Sequence, residues 1–157
     1  MARALRAVVI VGVVSAVGLA GCASSKSSTA SKDPVADRQR LMKLHGALWK
    51  DLQDKHKAGN IESMEVDAEA LAVNAQRIPA LFPEGSLTEK SKAKPEIWQK
   101  WPEFEAAAKN LETQSVKLRD SAKAKDSAAV DAQMKDFGRN ACGTCHTPFR
   151  VPPPRQG

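Results

Sequence analysis

Residues 130–150 read VDAQMKDFGRNACGTCHTPFR. Val130, Met134, Phe137, Ala141 and Cys145 recur at intervals of three or four, the spacing that keeps side chains on one face of an α-helix. The stretch is therefore expected to be an amphipathic helix over about residues 127–147, carrying two cysteines and a histidine in its last turns. Pro148 has no N–H to continue the ladder and is expected to end or kink the helix there. The tail, VPPPRQG at 151–157, is expected to fray.

Working outward from this helix, the chain from Pro34 onward has no convincing alternation of period two. It contains no Tyr, and Ala, Leu, Lys, Gln and Glu dominate it, which predicts helices throughout. Over residues 35–58, projection at about 100° per residue places Met42, Trp49, Arg38, His45, Leu52, Leu41, Leu48 and Leu44 within an arc of roughly 160°. Lys43, Lys50, Asp54 and Lys57 fall opposite, and Gly59 and Asn60 stop the helix. A second helix is expected over 61–80 from Ile61, Met64, Ala68, Leu71, Ala75 and Ile78, and a third over 103–124 from Phe104, Ala108, Leu111, Ser115 and Leu118. Residues 81–102 are too rich in Pro, Gly and charge for a regular element, but Phe82, Ile97, Trp98 and Trp101 predict that this long connection packs across the other elements. Four amphipathic helices with one long middle connection predict an all-α fold, an antiparallel four-helix bundle over residues 35–150.

The chain begins MARALR, a short basic region, followed by an apolar run and LAGC at 19–22. This is the pattern of a lipoprotein signal peptide, residues 1–21, with Cys22 as the acylated first residue of the mature chain. An ordinary secretory signal or an uncleaved anchor are the alternatives. Residues 22–34 are small and polar and read as a flexible tether. The expected location is the periplasm, lipid-anchored to a bacterial membrane through Cys22. Formal net charge is +6, and loss of Arg3 and Arg6 with the signal lowers it to about +4. That balance favours an acidic partner or a phospholipid surface, or simply a solvated exterior. No basic run interleaved with aromatics points to nucleic acid.

With Cys22 acylated, only Cys142 and Cys145 remain, in CGTCH. Cys-x-x-Cys-His is the attachment signature of haem c. Two thiols three positions apart on a helical turn each add to one vinyl group, and the adjacent His146 then lies under the iron as proximal ligand. A thioredoxin-like redox pair would need a strand and a βαβ context, whereas an amphipathic helix leads in here. A structural zinc site would want four ligands, and beyond the motif the mature chain offers only His45 and His56.

The second axial position must be filled from upstream, because no Met, His or Cys follows His146. Met134 shares the helix of His146 and cannot easily reach the far face. Met42, Met64, His45 and His56 remain. Met42 lies on the first helix's apolar arc, with Arg38 one turn before it, placed to meet a haem propionate, and His45 nearly one turn after. The plain alternatives are a core methionine, an arginine in a surface ion pair and a half-exposed histidine. Trp49, Trp98 and Trp101 read as packing residues.

RQRLM at 38–42, LFPEGS at 81–86, KPEIW at 94–98, FEAAAKNL at 104–111 and CGTCHTPFR at 142–150 together resemble the class II cytochromes c, the cytochrome c prime family, over about residues 35–150. The resemblance implies a four-helix bundle with one covalent haem c held by Cys142 and Cys145, and His146 as proximal ligand. The family's distal position, four residues after the Arg of the Arg-Gln pair, is Met42, which ligates iron in low-spin members; in others the site stays open to NO or CO. Arg150 matches an arginine near the proximal face, and His45 leaves open a His ligand or a pH-sensitive neighbour. The signal and tether depart from the soluble members.

The function expected is a periplasmic monohaem electron carrier, not an enzyme, with an unidentified redox donor and acceptor and, as in many relatives, the option of a homodimer. The alternatives are a five-coordinate NO- or CO-binding protein and a haem-free helical interaction module.

Overall fold

A computed structural model describes residues 32–153; the signal peptide, Cys22 and most of the tether lie outside the described residues. The helices are α1 (Pro34–Lys57), α2 (Met64–Ala75), the single turn α3 (Glu96–Gln99), α4 (Trp101–Lys123), α5 (Ser127–Phe137) and α6 (Gly143–Phe149). Together they form a four-helix bundle in which α5 and α6 make up the fourth helix. No helix among the described residues is long and apolar enough to cross a membrane.

Local chemistry sets the helix ends. Asp33 caps α1 by accepting from the Ala36 N–H at 2.9 Å, ahead of Pro34 at the first helical position. Lys55, His56 and Lys57 occupy the last turn, where cations suit the carbonyl end of the helix. Gly59 then turns the chain with φ of +70°, a conformation that favours glycine. Asp126 caps α5 through the Ala129 N–H at 3.0 Å. The helix covering 61–80 is shorter than expected: α2 ends at Ala75, and a 3₁₀ turn follows at Pro79–Leu81.

The core runs along the bundle through Leu41, Leu52, Met64, Leu71, Phe104, Leu118, Val130 and Phe137, all buried. Trp49 stacks on Phe137 with ring centroids 5.1 Å apart, bringing α1 onto α5. Leu44, placed in the buried arc by its spacing, is 44% exposed; it lies at the arc's edge, beyond the reach of the neighbouring helices.

The fourth helix does not stop at 147. It runs to Phe149, and Pro148 sits inside its last turn. Between α5 and α6 the segment Gly138–Cys142 widens into a π-turn, in which the Gly143 N–H donates to the Gly138 carbonyl five residues back. The extra residue corrects the phase. Nineteen steps of a regular α-helix would turn Phe149 about 100° away from Val130, and removing one step from the count returns it to the same face. Phe149 is accordingly buried at 4% exposure. Asn110 of α4 donates to the Asn140 carbonyl at 2.5 Å and fastens the turn to the bundle.

The connection 81–102 is more ordered than its composition suggested. Trp98 Nε1 donates to the Phe82 carbonyl at 3.0 Å. Ala93 pairs with Arg150 in an antiparallel bridge, through Lys94 N–H to Phe149 O at 2.9 Å and Val151 N–H to Lys92 O at 2.8 Å. The connection thus closes over the end of α6.

Candidate functional site

The bridge between the connection and α6 leaves a cavity of about 330 Å³, walled by α1, α4, α6 and the connection. Its apolar wall is Ile78, Phe82, Ile97, Phe104 and Phe149. The aromatic part interlocks, with Phe104 packing edge-on against Phe82 at 4.8 Å and against Phe149 at 5.5 Å. The sequence motif enters from one side, because Cys145 and His146 line the cavity from α6, and Met42 enters from α1. Cys145 and Met42 are half-buried, and His146 is exposed at the mouth. Cys142 is half-buried one turn before Cys145 and packs against the core.

Among the distal candidates, only Met42 lines this cavity. Met64 is fully buried in the core. His56 is engaged at the other end of α1, where its Nε2 lies 2.6 Å from Asp131 of α5. His45 is half-buried; its Nε2 is enclosed without a hydrogen-bond partner. Burial, with the neighbouring His146 ring, lowers the His45 pKa to about 4.

Arg38 is buried and borders the cavity, but its terminal nitrogens turn toward the connection. One donates to Ser86 Oγ at 2.9 Å and the Leu81 carbonyl at 3.5 Å, the other to the Ser86 carbonyl at 2.8 Å and Ser91 Oγ at 2.7 Å. The guanidinium carbon also stands 4.8 Å from the centroid of the Phe82 ring. Arg38 is therefore not in the surface ion pair that was its plain alternative. Arg150 is exposed at the mouth and lowers the His146 pKa, behind the larger effect of burial. Sequence reasoning missed Ser86, Ser91 and Phe149; the first two carry no signal apart from the way the connection returns to α1.

Electrostatics bear on the chemistry. Burial raises the Cys142 pKa, and burial with the adjacent Cys142 takes Cys145 to about 11. Redox-active pairs need a lowered thiol pKa, so the site is unlike a dithiol oxidoreductase. Among the described residues, no three of His, Cys, Asp and Glu gather as metal ligands. The residues present do fit a planar, largely apolar group fixed at one edge. Two thiols and an imidazole lie on one helix, and the Met42 thioether of another helix and an aromatic wall border the same cavity as Cys145 and His146.

The family model for Cytochrome C' matches residues 33–150. A cytochrome c-556 from Agrobacterium fabrum is 30% identical over 141 residues, covering 88% of this chain and 94% of that protein. A cytochrome c' from Rhodospirillum rubrum is 33% identical over 85 residues, 54% of this chain; the match spans 57% of that relative's length. In fold, the chain resembles the nitric oxide complex of a variant cytochrome c prime from Alcaligenes xylosoxidans, with a TM-score of 0.68 at 24% identity, covering 77% of this chain and 95% of that one.

Proposed function

Because the chain belongs to the cytochrome c' family, whose cofactor is a covalently attached haem c, we propose that it is a monohaem electron carrier with His146 and Met42 as axial ligands. Family membership decides against the haem-free interaction module and gives the coarser class, periplasmic haem proteins that carry electrons or bind gases. The observation that carries the finer reading is that Met42 of α1 and His146 of α6 line one cavity, while the other distal candidates do not.

In this reading Cys142 and Cys145 hold the group through thioethers. When bound, it supplies one-electron redox chemistry. Met42 and His146 would hold the iron, and a soft sulfur paired with an imidazole would raise the reduction potential. Ile78, Phe82, Ile97, Phe104 and Phe149 exclude water and keep the surroundings of low dielectric. Arg38 holds the connection against α1; only its Nε–H is left for a propionate unless Ser86 or Ser91 yields. Arg150 adds positive charge beside His146. Cys22 is the proposed lipidation site that holds the protein at a membrane. Electron carriage requires no turnover of substrate, so no enzymatic activity is assigned. Dimerisation, which occurs among cytochromes c', is compatible with this role.

The second reading leaves the distal position open to NO or CO. It is favoured by the fold likeness to a protein solved with nitric oxide. Absorption spectra of the holoprotein, oxidised and reduced, with and without CO, separate the two. Low-spin bands indifferent to CO in the wild type, becoming CO-responsive in Met42→Ala, are the expected result. High-spin bands that shift with CO in the wild type assign the protein to gas binding instead.

A further inference from the structure

The cavity lining contains four cationic side chains, Arg38, Lys43, Lys92 and Arg150, and no carboxylate. Arg38 is buried, while Lys43, Lys92 and Arg150 are exposed around the mouth. The backbone brings one more lysine to the same rim. Lys94 is fixed beside Arg150 by its N–H bond to Phe149, while Lys90, tied to α1 by Gln39 Nε2, which donates to its carbonyl at 3.0 Å, lines an adjoining recess with Asp33 and Glu89.

None of Lys43, Lys90, Lys92, Lys94 and Arg150 makes an ion pair among the described residues, whereas many basic residues elsewhere do. Lys55 meets Asp51 and Asp67, Arg119 meets Glu69 and Asp120, Lys123 meets Glu65, and Lys125 meets Glu62. The carboxylates of the connection nearest the rim, Glu89 and Glu96, do not line the cavity. Like charges gathered from three separate elements repel one another and do nothing for the isolated fold. Their field does concentrate an anionic partner at one place, and that place is the mouth where His146 reaches solvent.

We propose that this rim docks an acidic face of a one-electron redox protein over the mouth of the cavity. The proposal rests on the electron-carrier reading and adds the chemistry of the partner. A flat anionic lipid surface responds to basic charge wherever it is exposed. A cluster of unpaired cations from three elements at the edge of a concave site instead matches a partner that presents its own redox group ringed by carboxylates.

The test uses the full-chain holoprotein carrying Cys22→Ser, so that no lipid contributes, and reduced acidic flavodoxin as the electron donor. Each reaction passes one electron from the flavin hydroquinone to ferric iron. Lys43→Glu/Lys92→Glu reverses the rim. Lys117→Glu/Lys135→Glu makes the same change of net charge at exposed, unpaired positions away from it. The expected wild-type rate falls about tenfold from low to high salt. At low salt the rim pair slows transfer about tenfold, and the control pair changes it less than about twofold. Equal effects of the two pairs, or a salt-independent wild-type rate, overturn the proposal. So does rim-dependent binding to phosphatidylglycerol vesicles with an unchanged flavodoxin rate, which assigns the rim to a lipid surface. Mass and visible spectrum are recorded first on every variant. Absence of covalent haem there fails the carrier reading, whereas a normal spectrum with salt-insensitive transfer fails only the docking proposal.

Discussion

Arg38 is joined to Ser86 twice, through the hydroxyl at 2.9 Å and the carbonyl at 2.8 Å, although the two residues lie 48 positions apart. A buried guanidinium is costly unless its donors are used. Burial accordingly lowers its pKa, with Asp33 partly opposing. Here neutral oxygens of the connection accept from it, so the charge closes the lid of the cavity without a carboxylate inside. Arg38→Ala is expected to lower stability by about 2 kcal/mol, since several charge-assisted bonds are lost at once. Ser86→Ala leaves the carbonyl bond in place and is expected to cost about 1 kcal/mol. Urea midpoints of the holoproteins measure both; equal losses in the two variants would mean that the clamp is not organised by the guanidinium.

Met64 and Met42 are alike in residue type, and their surroundings differ. Met64 is fully buried in the core, and Met42 borders the cavity. Met64→Leu nearly conserves volume and is expected to cost less than about 1.5 kcal/mol and to leave the visible spectrum of the holoprotein unchanged. A spectral change in Met64→Leu comparable to that in Met42→Ala would move the distal assignment to α2.

The four helices and the motif were legible because both are local signals. Apolar positions three or four apart define a face whatever the rest of the chain does, and CGTCH carries its ligands within five residues. What escaped depends on contacts distant in sequence. Leu44 satisfied the periodicity yet remained exposed, because no neighbour covers that edge. Ser86 and Ser91 became partners of Arg38 only once the connection folded back over α1. Met42 was singled out over Met64 by the resemblance carried by RQRLM at 38–42, but that its helix face and His146 border one cavity was not legible from the sequence.

Asp67 of α2 is 7% exposed, and Lys55 of α1 donates to its Oδ2 at 2.5 Å. Burial, with the neighbouring Asp51, raises its pKa more than Lys55 lowers it. The folded state therefore holds a proton on Asp67 at pH values where the unfolded chain has released it. Stability from this group is present at low pH and declines as pH rises from about 4, the ordinary value, through the higher folded pKa. Asp67→Asn removes the titration. The stability of the wild type relative to Asp67→Asn is expected to decrease from pH 4 to pH 7 in urea titrations. An increase over that range would show that the Lys55 ion pair outweighs burial.

The π-turn at Gly138–Cys142 connects the fold to the site, because the phase of everything after it depends on one extra residue. Arg139 is exposed and, among the described residues, pairs with Asp136, one turn earlier on the same helix. Inserting one alanine after Arg139 adds a step beyond the one the π-turn absorbs and turns the following residues about 100° around the axis. Phe149 then leaves the cluster with Phe104, and Cys145 and His146 leave the cavity. The expected loss is about 3 kcal/mol or more, the scale of removing a buried phenylalanine, together with a visible spectrum unlike that of the wild type. Phe149→Ala serves as the control, since it removes the ring without turning the motif. It is expected to lose similar stability while keeping the spectrum much closer to wild type. If both variants shift the spectrum equally, the aromatic wall sets the position of the iron ligands; if only the insertion does, the register fixed by the π-turn sets it.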